Sequence, residues 1–270
     1  MQFLHVRSCI ANHPSCSPPT SHPLVITPRF FSSQSLPRTA DTRGEIELDE
    51  EIARHLQVLR MAAGEQIALF DGLGGEWMAS ISVIGKRHAL VQLQQFNPVE
   101  RESPLPVTLV QALATSDKMD FIVQKAVELG VSAIQPLATE RATLKLSGER
   151  EQKRTGHWQA VAQAACEQCG RNRVPLVAGL LSLEAWLATP ATGLRLMLHP
   201  EAENSLVQAA LPQQALALLV GPEGGFSPKE LALATQHGVQ PVRLGARVLR
   251  TETAALAALA ALNAVQGDLR

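Results

Sequence analysis

Between Arg29 and Asn97 apolar residues recur in short alternating runs, GEIELD, EQIALFD, EWMASISVI and HALVQLQQF, with DGLGG and GKR as turn signals. A period of two over so few residues predicts half-buried strands. One segment breaks the pattern: in DEEIARHLQVLRM the positions Ile52, His55, Leu56 and Leu59 recur at helical spacing and predict one short helix. NPVERESPLP then gathers charge with Pro98, Pro104 and Pro106, as a linker would. Beyond it strand-like and helix-like runs alternate. VTLVQAL, SAIQPL, VPLVA, LRLMLH, ALALLVG and PVRLG predict strands. DKMDFIVQKAVELG closed by Gly130, residues 149–168 ending near Gly170, Ser227 to Gln236 closed by Gly238, and TETAALAALAALNAVQ predict helices. Such alternation implies an α/β fold, a parallel sheet with helices on both faces.

Residues 1–26 follow neither pattern. Pro14, Pro18, Pro19 and Pro23 break any helix there and charge is scarce, so a disordered extension or a start codon assigned too far upstream is expected. The organisation is therefore 1–26, a small β-rich domain over 27–100 and an α/β domain over 101–270.

Composition narrows the function classes. With 24 Lys plus Arg against 25 Asp plus Glu, the chain lacks the basic coat of a protein covered in nucleic acid, so any RNA contact must come from a local cluster. No stretch approaches the roughly 20 uninterrupted apolar residues of a membrane span. Four cysteines, at 9, 16, 166 and 169, are too few and too unevenly placed for a disulfide framework, and a reducing, cytoplasmic setting is expected.

The candidate chemistry lies near the end of the chain. In LVGPEGGFSPKEL, Ser227 reads as a helix N-cap, Pro228 as the first helical residue, Glu230 as the partner in a capping box, and Phe226 with Leu231 as a hydrophobic staple. Gly221 to Gly225 are thereby fixed as a loop from a strand's carboxyl end to a helix start, where open α/β sheets bind ligands. Neither common nucleotide-loop spacing can be drawn through it. Pro222 removes an amide donor, and Glu223 repels a polyphosphate while tolerating a positively charged ligand such as a sulfonium. A tight structural turn fits these residues equally. Downstream, Gly245 makes a second turn before a helix whose first turn carries Arg250, Thr251, Glu252 and Thr253, which are also ordinary caps. LHP, residues 198–200, ends another strand, with His199 a structural histidine or a ligand. Cys166 and Cys169 have the spacing of half a zinc site, but there is no second pair and no metal is expected. Arg141, Lys145, Arg171 and Arg173 suit either phosphates or a solvated surface.

Together LVGPEGGFSPKEL, LGARVLRTETAALAALAAL, ACEQCGRNRVP, DKMDFIVQKAVELGVSAIQPLATER and HLQVLRMAAGEQIALFDG resemble the RsmE family, bacterial methyltransferases of ring nitrogen 3 of a uridine in 16S ribosomal RNA. The resemblance runs from about Thr27 to Arg270. It implies an N-terminal PUA-like β-barrel that helps hold RNA, a C-terminal SPOUT domain with a deep trefoil knot, and a homodimer with its cofactor pocket near the subunit interface. It further implies that S-adenosylmethionine is gripped by Leu198, His199, Pro200, Gly221, Pro222, Glu223, Gly224, Gly225, Leu244, Gly245, Leu249, Thr251, Thr253 and Ala254. For the proton that must leave the uridine nitrogen, Arg250 is the candidate cation to stabilise the uracil anion, and Glu252 or Glu223 the candidate acceptor. RNA capture falls to Arg29, Arg60, Arg141, Arg171 and Arg173, with Phe30 or Phe31 as a stacking surface or core. The rival readings are a SPOUT enzyme acting on another RNA position, or an RNA-binding module without catalysis.

Overall fold

A computed structural model of the chain describes residues 27–38, 44–209 and 214–269. The expectation for residues 1–26 lies outside the described residues. The first sheet is built from β1 (Arg29–Phe31), β2 (Glu45–Leu48), β3 (Gln66–Phe70), β4 (Glu76–Ile84) and β5 (Ala89–Asn97), with α1 (Glu50–Val58) between β2 and β3. Its order is β1-β3-β4-β5-β2, antiparallel apart from the β1–β3 pair. Register shifts between Met78 and Ala79 and between Ile81 and Val83 bend β4 against β5, as bulges do, and curl the sheet into a half-barrel. Period-two alternation turns Trp77, Ala79 and Ile81 of β4 and Ala89, Val91 and Leu93 of β5 inward, where Ile52 and Leu56 of α1 close the core. Trp77 keeps its indole N–H satisfied by donating to the Pro37 carbonyl at 2.7 Å.

The rest of the chain supplies β6 (Val107–Ala112), α2 (Ser116–Glu128), β7 (Ala133–Ala138), α3 (Glu149–Cys169), β8 (Leu176–Val177), β9 (Leu181–Ser182), α4 (Leu183–Leu187), β10 (Leu194–Leu198), α5 (Leu206–Ala209), β11 (Leu216–Val220), α6 (Pro228–Gln236), β12 (Gln240–Val242) and α7 (Thr251–Gln266). They form a parallel sheet of order β12-β10-β11-β6-β7-β8, with β9 also on β7. Neighbouring strand residues point into different cores. Leu109, Leu196 and Leu218 pack under α2, α3 and α7, whereas Val110, Met197 and Leu219 pack under α4 and α6. The sheet is thus covered on both faces, which is why its strands read as continuous apolar runs. Four short elements, β1, β9, α4 and α5, were not expected from the sequence; at two to five residues each they are too short for a period to register.

The two sheets meet through a polar seam at the end of α3. Arg29 pairs with Glu76, donates to Asn172 Oδ1 at 2.7 Å and to the Arg171 carbonyl at 3.2 Å, and stacks over the Phe70 ring at 5.0 Å. Asn172 Nδ2 donates to the Val99 carbonyl at 2.8 Å, and the Phe31 N–H donates to Glu167 Oε1 at 2.8 Å. Burial pushes the Glu167 carboxyl above the usual range.

Candidate active site at the strand ends

Parallel strands all present their carboxyl ends on one side, and there the loops after β10, β11 and β12 enclose a cavity of about 650 Å³. Leu198, His199 and Pro200 form one wall, Gly221 to Gly225 a second, and Leu244, Gly245, Leu249, Arg250, Thr251 and Ala254 a third. The loops hold one another by hydrogen bonds: the His199 N–H donates to the Val242 carbonyl at 2.9 Å, and Thr251 Oγ1 donates to the Gly221 carbonyl at 2.6 Å. Gln111 Nε2, fully buried, donates in turn to Thr251 Oγ1 at 3.0 Å.

The glycine loop is narrow for steric reasons. A β-carbon on Gly221 would meet the Phe226 ring at 3.2 Å, and one on Gly224 would meet the Arg141 β-carbon at 3.2 Å. The loop closes with the Gly225 N–H on the Pro222 carbonyl at 2.9 Å and runs into the capping box of α6. There Glu230 N–H donates to Ser227 Oγ at 3.2 Å and Ser227 N–H to Glu230 Oε2 at 2.8 Å. Phe226 and Leu231 share one apolar cluster, as a staple requires.

The electrostatics centre on a residue that sequence reasoning missed. Lys118, in the first turn of α2, lines the cavity with its ammonium 3.1 Å from Glu223 and 3.5 Å from Glu252. Burial raises the Glu223 pKa, but its own backbone N–H, Lys118 and the Thr115 N–H outweigh it and hold the carboxyl below the usual range. The hydrogen bond to Glu223 correspondingly raises Lys118 above an ordinary lysine. The Lys118–Glu223 pair thus sits on a wall that also carries Arg141, Arg247 and Arg250. Lys118 was legible in principle, because it follows the end of β6, the strand beside β11; glycine and proline signals alone did not reach it.

One expected cofactor contact falls outside the cavity. Thr253 is exposed and off the cavity wall, since a helix that turns Thr251 and Ala254 inward directs Thr253 about 100° or more away. Glu252 also lies off the wall and reaches it through Lys118. His199 serves its own turn, with Nδ1 accepting from the Glu201 N–H at 3.3 Å.

The arginines expected to meet RNA separate sharply. Arg171 is 4% exposed, pairs with Glu102 and donates to the Val127 and Val131 carbonyls at 2.8 and 2.9 Å, so it is a structural arginine. Arg29 belongs to the seam already described. Both are corrected as RNA contacts. Arg173 is exposed but engaged by Glu100 at 3.2 Å, and Arg141 spans the glycine loop by donating to the Gly224 and Phe226 carbonyls at 3.1 and 3.4 Å. Lys145 donates to the Thr139 carbonyl at 3.1 Å. Arg60 is exposed and unengaged among the described residues. Phe30 is core, and Phe31 packs edge-on against Phe70. Burial pushes the Cys166 thiol up to about 12, which keeps it protonated.

A parallel sheet covered by helices on both faces, with a cavity at its strand ends and a small curled sheet attached, is here the frame of an RNA methyltransferase. Residues 101–263 match the RNA methyltransferase domain model and residues 48–94 the RNA methyltransferase PUA domain model. The chain belongs to the ribosomal RNA small subunit methyltransferase E family. It is 38% identical over 216 residues to that family's protein from Synechocystis, covering 77% of this chain and 69% of the relative. Among solved structures it is similar to the Neisseria gonorrhoeae enzyme bound to S-adenosyl methionine, with TM-score 0.84 and 39% identity over 90% of this chain and all of that one. A Legionella pneumophila putative methyltransferase, also solved with bound cofactor, gives TM-score 0.85 and 39% identity over 91% and all of the respective chains.

Proposed function

We propose that this chain methylates ring nitrogen 3 of a uridine in 16S rRNA of the small ribosomal subunit, with S-adenosylmethionine as donor. The observation that carries the reading is the 650 Å³ cavity at the strand ends, walled by the tight glycine loop and by the loops after β10 and β12. Its volume lies in the range of small-molecule sites. Bound there, the cofactor supplies a methyl carbon made electrophilic by its sulfonium. The loops at Leu198, Gly221 and Leu244 orient it through main-chain groups. In-line transfer demands little more than alignment and a short approach. Arg250 faces the cavity with a guanidinium that nothing engages among the described residues, and it stabilises the uracil anion. Glu252 or Glu223 takes the proton, directly or through water.

In this reading residues 27–100 hold RNA, residues 101–270 carry the knotted SPOUT catalytic unit, and the enzyme acts in the cytoplasm as a homodimer. No described helix is long and apolar enough to cross a membrane. The half-buried Leu256, Ala257, Ala260 and Ala261 on α7 give a partner helix a surface of small side chains. Calorimetric titration with S-adenosylmethionine, followed by mass mapping of 16S rRNA from cells lacking and regaining the gene, tests the reading. Arg250→Ala is expected to keep cofactor affinity while its turnover drops about 10²-fold or more. Absence of cofactor binding at millimolar concentration, or an rRNA mass pattern indifferent to the gene, would remove it.

A further inference from the structure

The chain is nearly neutral and the structure commits Arg29 and Arg171 internally, so an RNA partner needs a local cluster of other cations. The end of α1 provides one, at a backbone position that singles out its central residue. α1 stops in a Schellman arrangement, with the Arg60 N–H on the Gln57 carbonyl at 2.9 Å and the Met61 N–H on the Leu56 carbonyl at 3.0 Å. That arrangement requires a left-handed residue after the helix, ordinarily glycine or asparagine. Here it is Arg60, at φ 57°, the sole non-glycine residue with positive φ among the described residues. Its β-carbon crowds the following carbonyl, and strain of this kind persists where a side chain has a use.

The surroundings indicate what use. Val58 is 73% exposed and Leu59 48%, an apolar pair on open surface. Gln57 Nε2 donates to the Gly85 carbonyl at 2.7 Å, which brings the β4–β5 turn and Lys86 against the same helix end. Arg54 lies one turn before Val58 on one face. Arg54, Arg60 and Lys86 are exposed, and among the described residues their side chains make no hydrogen bond or ion pair. Of the nearby acids, Glu50 pairs with Arg87 at 2.7 Å and Glu65 accepts from the Ala62 N–H at 2.8 Å, while Glu51, one turn before Arg54, offsets part of the positive charge. We infer that this helix end is the RNA-contacting face of the first domain, with Arg60, Arg54 and Lys86 on phosphates and Val58 and Leu59 against sugar and base. The choice of RNA as partner rests on the function proposed above.

Arg60→Gly gives a test in which stability and function move in opposite directions. In the full chain, thermal unfolding is expected about 2–4 °C higher because the strained residue is relieved. Affinity for in vitro transcribed, unmethylated 16S rRNA is expected to fall about fivefold or more, with the slope of log affinity against log salt reduced by about one. Arg60→Lys keeps the slope, and Arg54→Ala with Lys86→Ala lowers it further. Cofactor affinity measured by calorimetry stays at the wild-type value in all of them. Unchanged RNA affinity and salt slope in Arg60→Gly, as for a face that receives an acidic protein, would overturn the inference, and so would a lower unfolding temperature. Because RNA affinity is read by titration, a wild type that binds the rRNA but methylates another nucleotide would revise the proposed reaction and leave this surface standing.

Discussion

At the scale of single residues, Lys118 decides the character of the pocket. Its ammonium lies within reach of both Glu223 and Glu252, with the Thr115 N–H also on Glu223 at 3.4 Å. A carboxyl whose pKa is lowered in the folded state contributes fully above its ordinary value of 4.5 and is lost only as pH falls through the lowered one. Lys118→Met leaves two like charges facing each other, so one of them holds its proton to higher pH. The acidic limb of kcat/KM against pH is then expected to move up by about one unit or more, and Lys118→Arg to bring it back. A limb that stays in place while the rate drops would make Lys118 a packing residue only. The glycine loop around this group could be read in advance because Gly and Pro are local signals. The ion pairs could not: they join positions 105 and 134 residues apart (223 − 118 and 252 − 118), and no spacing rule spans such gaps.

Among the elements, α6 shows what a sequence can announce. Ser227, Pro228 and Glu230 spell a helix start whose chemistry is complete within four residues, and the capping box forms as read. Less legible was the second task of Glu230, whose Oε1 accepts from the Glu140 N–H at 2.9 Å and ties the loop after β7 to the glycine loop. Ser227→Ala removes the cap alone and is expected to cost about 1 kcal/mol in denaturant unfolding. A loss below about 0.3 kcal/mol would mean that the loop's other contacts fix the boundary. By contrast α4, five residues capped by Ser182 Oγ on the Ala185 N–H at 3.1 Å, escaped notice because a single turn has no period to display.

Across the whole molecule, the alternation of strand and helix disclosed two sheets, while the way they are joined stayed hidden. CGRNR looked like a basic patch; folded, its Arg171 and Asn172 are buried and bind the linker and the first sheet. Charge alone does not tell a solvated arginine from one that closes a seam, because burial is decided by partners distant in sequence. Asn172→Ala is expected to loosen the seam, raising KM for rRNA about threefold or more while cofactor affinity by calorimetry is unchanged. Equal loss of both would assign Asn172 to the folding of the catalytic layer instead.

The seam also sets an order of events. Strand β1 leaves the ribosome early, yet Arg29 finds Asn172 only 143 residues later. During synthesis at about 5–20 residues per second, the opening strand therefore waits on the order of ten seconds for its anchor. Until then its edge lies open to chaperones and to other nascent chains.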